Sequence, residues 1–211
     1  MGVVAAMVLI PNRYAGDEEG ATRFMRLVIE YAPGVDIILQ NAPEPIGAGL
    51  DSSILARIVE SSEAIKYVKE EALPSGPRIS ALNEANPEHL VGVIGGGGGR
   101  YLIDEMNRGA IAAMPAAELT DIHVKMWNAH KSGDVEKARR LYMRTLPLLV
   151  IQAIYRMRLT KFALMKRGVL DNEYVRAPLP EFDSYDHAEI CAQLDSLSDL
   201  IDFAPPKVVA L

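Results

Sequence analysis

The chemistry in this sequence is densest in Ala64-Ile65-Lys66-Tyr67-Val68-Lys69-Glu70-Glu71, a short apolar stretch that ends in ionisable residues. Read as a strand, it sends successive side chains to opposite faces, so Ile65, Tyr67 and Lys69 share one face while Lys66 and Val68 share the other. An amine held on a core-facing side loses hydration, which favours its neutral form, and a neutral amine can attack a carbonyl to form an imine. The octapeptide fits equally a strand-end lysine with its head in water. Glu70 and Glu71 are candidate acid/base partners, although Glu70 faces away from Lys69 on an ideal strand and both carboxylates also fit the start of a loop.

A second concentration is the run Gly95 to Gly99, which follows an apolar stretch and precedes a helical one. It lacks the Gly-Lys-Ser/Thr ending of a phosphate loop, and Arg100 does not stand where that lysine would. Bare backbone there suits the close approach of N–H groups to a small carboxylate, with a merely flexible loop as the alternative. His123 and His130 lie seven apart on one helical face, but a metal needs a third ligand and none is identifiable, so surface histidines are expected and no metal site is assigned. Cys191 has no neighbouring His or Lys signal and reads as a packed helix residue. The stripe Leu141, Leu148, Leu149 and Ile151, with Met143 and Met157 near it, reads as core or subunit interface.

The elements that must position these groups alternate. Gly2 to Ile10 is a continuous apolar run, the pattern of a strand covered on both faces. Asp17-Glu18-Glu19 opens a helix with the inner stripe Phe24, Leu27, Val28 and Tyr31. Val35 to Leu39 is a second strand, and Asn41 to Gly47 is a loop because two prolines and a glycine forbid a ladder. Asp51-Ser52-Ser53 caps a helix whose core side is Ile54, Leu55, Ile58 and Val59. The Lys69 strand follows, then a weak helical stretch at Ser80 to Glu84 and Pro87-Glu88, a strand at Leu90 to Ile94, a helix at Arg100 to Arg108 ended by Gly109, and a fifth strand at Ala110 to Met114. Such β/α alternation implies parallel strands joined by right-handed crossovers. From Ala116 the pattern is helical: Ala116 to Lys131, Asp134 to Leu149, Val150 to Arg167 and Asp186 to Asp202. The expected division is residues 1–115 for the β/α part and 116–211 for a helical region packed on the same domain.

With 211 residues, 49% hydrophobic and 24% charged, the composition is that of a globular protein, and a net charge of −6 without a Lys/Arg cluster argues against nucleic acid or an anionic membrane as partner. One cysteine excludes an intramolecular disulfide and suits a reducing cytoplasm. No apolar run approaches the ~18 residues of a membrane span, and the first ten residues lack the marks of a signal peptide.

Taken in order, several short segments resemble the dihydrodipicolinate synthase and N-acetylneuraminate lyase family. They are Asn41-Ala42-Pro43, Val68-Lys69-Glu70, Gly95 to Gly99, Leu102 to Ala110, Gly133-Asp134, Ala138-Arg139, Leu146-Pro147, Lys161, Arg167-Gly168-Val169 and Val175 to Leu179. The resemblance implies a cofactor-free class I lyase acting on a 2-oxo acid, pyruvate or a 2-keto-3-deoxy sugar acid. Lys69 would form the Schiff base, Gly96, Gly97 and Met114 would line the pyruvyl pocket, and Gln40 would stand in the binding site. It further implies a homo-oligomer.

Two departures bear on the reaction. The tyrosine that family synthases carry as a proton relay before Asn-x-Pro is here Gln40, an amide that cannot shuttle a proton as a phenol does. The arginine that follows the motif in the synthases is Pro45. Both disfavour dihydrodipicolinate synthesis and look more like the subgroup that dehydrates 2-keto-3-deoxy sugar acids. The resemblance also implies a partial TIM (β/α)8 barrel, the five strands matching the family's fourth to eighth, with a C-terminal helical extension. No counterpart of the first three β/α units appears in these residues, so Lys69 is expected to face solvent with little imine formation, and the end strands to be unpaired edges. The alternative is a catalytically inactive remnant with a binding or structural role.

Overall fold

The computed structural model describes residues 2–201. Five strands, β1 (Ala5–Leu9), β2 (Asp36–Asn41), β3 (Ile65–Glu70), β4 (Gly92–Gly95) and β5 (Ala112–Ala113), form one parallel sheet in the order β1-β2-β3-β4-β5. Helices α1 (Glu18–Tyr31), α2 (Ser52–Glu60), α3 (Ser75–Ala85) and α4 (Leu102–Asn107) connect them. Sequential parallel order with a helix at each crossover is the arrangement of consecutive units of a β/α barrel, here a partial one. Among the described residues β1 pairs only with β2 and β5 only with β4, so both ends of the sheet are edges, as expected.

The chain divides into two compact units. One is Met1–Gly97 with Tyr101–Met114, and the other is Gly98–Arg100 with Pro115–Leu211. In the first, one face of the sheet carries Ile37, Leu39, Ile65, Val68 and Val93, packed with Ala21 and Met25 of α1, Leu55, Ile58 and Val59 of α2, and Ile79 and Leu82 of α3. Full burial of such side chains stabilises by about 1.5–3 kcal/mol each. The inner stripe of α1 is thus Ala21, Phe24, Met25 and Val28, at the spacing of one helical face. Leu27 and Tyr31, expected there, turn outward.

Ile65 also corrects an expectation. The register shifts between Ile37 and Ile38, pairing Ile37 with Ile65 and Ile38 with Tyr67. The extra residue, Lys66, breaks simple alternation, so Ile65 shares the core face with Val68 while Tyr67 and Lys69 share the opposite one. β1 is not covered on both faces: Ala6 and Val8 pack on the core, whereas Met7 is 49% exposed, because only β2 flanks the strand. α3 begins at Ser75, five residues before the weak helical stretch, because Ile79 and Leu82 anchor it to the core.

The second unit holds α5 (Thr120–Lys131), α6 (Val135–Tyr155), α7 (Met157–Lys166) and α8 (Ser184–Ser196). α6 runs through Pro147 and breaks at Arg156, not after Leu149. Leu148, Leu149 and Gln152 are buried along it, and that packing carries the helix past the missing donor. Of the leucine stripe, Leu141, Leu148 and Leu149 are core, while Met143 and Met157 are exposed. α8 is capped by Asp183, whose side chain accepts from the N–H groups of Tyr185 and Asp186 while Asp186 accepts from Asp183 N–H, so the helix starts before Asp186; Asp202, the expected end, lies outside the described residues.

Candidate active site

The C-terminal ends of the parallel strands collect the ionisable groups of the first unit. Gln40 of β2, Lys69 of β3 and Ile94 of β4 are direct register partners and so point to the same face, opposite the apolar core. One residue beyond the strand, Glu71 returns to that face, because i and i+2 share it. Its Oε1 lies 3.3 Å from Lys69 Nζ and accepts the Gly97 N–H at 3.1 Å, and its Oε2 accepts Gln40 Nε2 at 2.5 Å. One carboxylate thus joins the lysine, the amide and the glycine turn.

The side chains of Lys69 and Glu71 are 8% and 16% exposed. The expectation of a solvent-facing lysine therefore fails: Glu71 closes on the ammonium, a contact that the alternation of Tyr67 and Lys69 extends to when carried two residues further. Sequence reasoning offers Glu70 and Glu71 together as acid/base partners, and the alternation through Tyr67 and Lys69 is the signal that selects Glu71.

The glycines act through space rather than flexibility. A Cβ at Gly96 would collide with the Glu71 side chain, and one at Gly95 with the Glu105 carboxylate. The small carboxylate expected at the glycine backbone is here the protein's own Glu71. Gly97 adopts φ 57°, a left-handed conformation that glycine takes without strain. Met114 follows β5 and is tied to Gly95 through its backbone, its N–H donating to the Gly95 carbonyl at 2.9 Å.

Two further carboxylates lie behind these groups. Glu70, fully buried on the opposite face, accepts Asn41 Nδ2 at 3.0 and 3.1 Å and Ala72 N–H at 2.7 Å, with Arg78 Nε 3.6 Å away. Burial raises its pKa to about 7 against the opposing pull of these donors. Glu70 is therefore neither a loop residue nor a direct partner of Lys69. Glu105 of α4 is fully buried under Gly95 and accepts Ser75 Oγ at 2.8 Å. Burial lifts it, too, to about 7, with Ser75 and the Gly96 N–H pulling the other way.

The histidines belong to the second unit. His123 is buried, not at the surface, and its ring lies where a Cβ at Gly99 would fall. Burial lowers its pKa to about 4. Cys191 does have a histidine neighbour, with Sγ 3.9 Å from His187 Nδ1 one turn earlier. No helix among the described residues is long and apolar enough to cross a membrane.

Residues 1–197 match the family described as the dihydrodipicolinate synthetase family. The chain is 28% identical over 197 residues to 4-hydroxy-tetrahydrodipicolinate synthase of Pelodictyon phaeoclathratiforme, a match covering 93% of this chain and 66% of that protein. It is 28% identical over 171 residues to L-2-keto-3-deoxyarabonate dehydratase of Azospirillum brasilense, covering 81% of this chain and 55% of the dehydratase. Among solved structures, dihydrodipicolinate synthase of Rhodopseudomonas palustris is similar with a TM-score of 0.84 at 26% identity, over 93% of this chain and 67% of that one. The chain thus spans two thirds or less of the length of these two curated relatives.

Proposed function

The chain belongs to the dihydrodipicolinate synthetase family, and on that premise we propose that it is a lyase-type protein that takes a small 2-oxo acid as an imine on Lys69 and favours dehydration of a 2-keto-3-deoxy sugar acid. The observation that carries this reading is the cluster of Lys69, Glu71 and Gln40 on one face at the strand ends. Glu71 accepts the ammonium proton and leaves the neutral amine that attacks the C2 carbonyl; water leaves as the imine forms. The protonated imine withdraws electrons from C2, which acidifies the C3 hydrogen. A carboxylate beside the nitrogen removes that proton, so the C3–H pair becomes the C2–C3 double bond of an enamine and the C=N pair returns to nitrogen; the nitrogen lone pair then re-forms C2=N, the C2–C3 pair shifts to C3–C4, and the C4 hydroxyl leaves as water, protonated by the same carboxyl group. Hydrolysis returns Lys69.

Gln40 has no proton to shuttle, but by donating to Glu71 Oε2 it fixes which carboxylate oxygen faces the lysine. Support for dehydration comes from this pairing and from similarity to the arabonate dehydratase. The reading is tested by adding pyruvate or 2-keto-3-deoxyarabonate with borohydride and weighing the protein. The expected result is one reduced adduct on the peptide carrying Lys69, absent in Lys69→Ala. No adduct at Lys69 would instead support the inactive binding or structural role. Loss of one water from 2-keto-3-deoxyarabonate without release of pyruvate separates dehydration from aldol cleavage.

A further inference from the structure

Glu70 is a fully buried carboxylate behind the Lys69 cluster and the reaction above does not use it. We propose that Glu70 is a positioning residue for the Lys69 site, its single buried carboxylate clamping Asn41 and Ala72 and thereby setting the contact between their chain neighbours Gln40 and Glu71. The proposal rests on the lyase reading for what the site does, and on geometry alone for what Glu70 does.

The partners of Glu70 lie one residue from the two groups that meet on the far side of the sheet. Asn41 follows Gln40 and donates to both carboxylate oxygens; Ala72 follows Glu71 and donates its N–H to Oε1. Glu71 N–H also donates to the Asn41 carbonyl at 2.9 Å, so the ladder between the two strands continues past Glu70. Asn41 cannot turn to suit a different partner. Its Oδ1 accepts Leu50 N–H at 2.9 Å and its Nδ2 donates to the Leu50 carbonyl at 3.0 Å, which fixes which end of the amide faces Glu70.

Every group facing the carboxylate is a donor: the Asn41 amide of β2, the Ala72 N–H, and Arg78 of α3, which also approaches Asp51 at 3.7 Å. Lys69 and Glu71, the charged residues on either side in sequence, point to the opposite face. An ionised carboxylate accepts from Asn41 and Ala72 and faces the Arg78 guanidinium as its counter-charge, whereas a protonated one brings a donor to a site already filled with them. A glutamine has the same defect at every pH, since its NH2 must meet either Asn41 Nδ2 or the Arg78 guanidinium.

The test uses Glu70→Gln and the wild-type chain, followed by reductive labelling of Lys69 with pyruvate and by the side-chain amide resonance of Gln40, assigned with Gln40→Ala. Labelling in Glu70→Gln is expected to slow by at least about tenfold, the scale of a small misplacement of a reacting group. The ratio of wild-type to variant rate is expected to fall toward one as the pH is lowered through about 7, where Glu70 takes up its proton. Taking the ratio cancels the titration of the lysine itself. The Gln40 amide is expected to move in the variant. An unchanged labelling rate with a flat ratio, or an unmoved Gln40 amide, overturns the proposal. If wild-type protein takes no label at all, the lyase reading fails and the Gln40 amide still decides the role of Glu70. If Glu70→Gln does not fold, the wild-type titration decides: the Gln40 side-chain amide and the Ala72 N–H move together with one midpoint near 7, and independent or absent movement overturns it.

Discussion

Both units bury charge, and they do so in different ways. In the β/α unit the buried polar groups are Asn41, Lys69, Glu70, Ser75 and Glu105, all at or just beyond the C-terminal ends of strands β2 to β4 or on the helices that follow. In the helical unit Arg167, at the end of α7, donates to the Glu118 carbonyl at 2.5 Å and to Asp121 Oδ2 at 2.8 Å, while Glu118 accepts Thr160 Oγ1 at 2.8 Å. That second cluster links the end of one helix to the start of another, pairing Arg167 with Asp121 and holding no amine nucleophile. The first cluster keeps an amine, a carboxylate and a neutral amide in contact on one sheet face. Burial of a charged residue therefore does not mark a site by itself; convergence of a nucleophile with a proton acceptor does.

The contrast is broken most sharply at Lys69. Lys69→Met is expected to cut borohydride-trapped label by at least about 10³-fold, as for loss of a covalent nucleophile. Peptide mass mapping checks it, and label moving to a lysine of the helical unit would erase the difference between the units. Next in size is Arg167→Met, which removes the buried guanidinium that donates to the half-buried Asp121 carboxylate and to the Glu118 carbonyl. It is expected to destabilise by roughly 3 kcal/mol in urea unfolding while the label per folded molecule stays at the wild-type level. Glu71→Gln is expected to keep the bond from Gly97 N–H and to lower turnover of 2-keto-3-deoxyarabonate by about 10²-fold, the scale of a lost general base. Wild-type turnover in that variant would assign the proton transfer elsewhere.

The effects of pH run in opposite directions for Glu70 and Glu105 of the first unit and for His123 of the second. Burial raises Glu70 and Glu105 from 4.5 to about 7, so the fold binds more protons than the unfolded chain in that window and gains stability as pH falls through it. His123 is lowered from 6.5 to about 4, so the helical unit loses stability as pH falls between those values. Each group contributes at most about 1.4 kcal/mol per pH unit. Urea unfolding across the acid range is expected to show a shallower acid loss in His123→Met and a smaller gain between pH 7 and 4.5 in Glu105→Gln. Parallel curves for the variants and wild type would mean that neither group titrates as its burial requires.

Alternation of apolar runs with helical spacing was enough to place five parallel strands, because period and turn residues are local properties, whereas their sequential order was implied only by the family resemblance. The same locality made Lys69 stand out at a strand end and the glycines stand out after the next strand. Three other features depended on contacts that no window of sequence contains. The Gln40 contact with Glu71 joins residues 31 apart and the Gly97 contact joins residues 26 apart, so both are set by inter-strand register. The register shift at Ile37 and Ile38 decided which face Ile65 takes. Packing around Leu148, Leu149 and Gln152 decided that α6 would pass Pro147 and end at Tyr155. Sequence alone determined that a lysine would stand near the end of the third strand and that a glycine run would close the fourth. Only the tertiary structure decided that the lysine is buried and that its carboxylate is Glu71, because both follow from where neighbouring strands stop relative to one another.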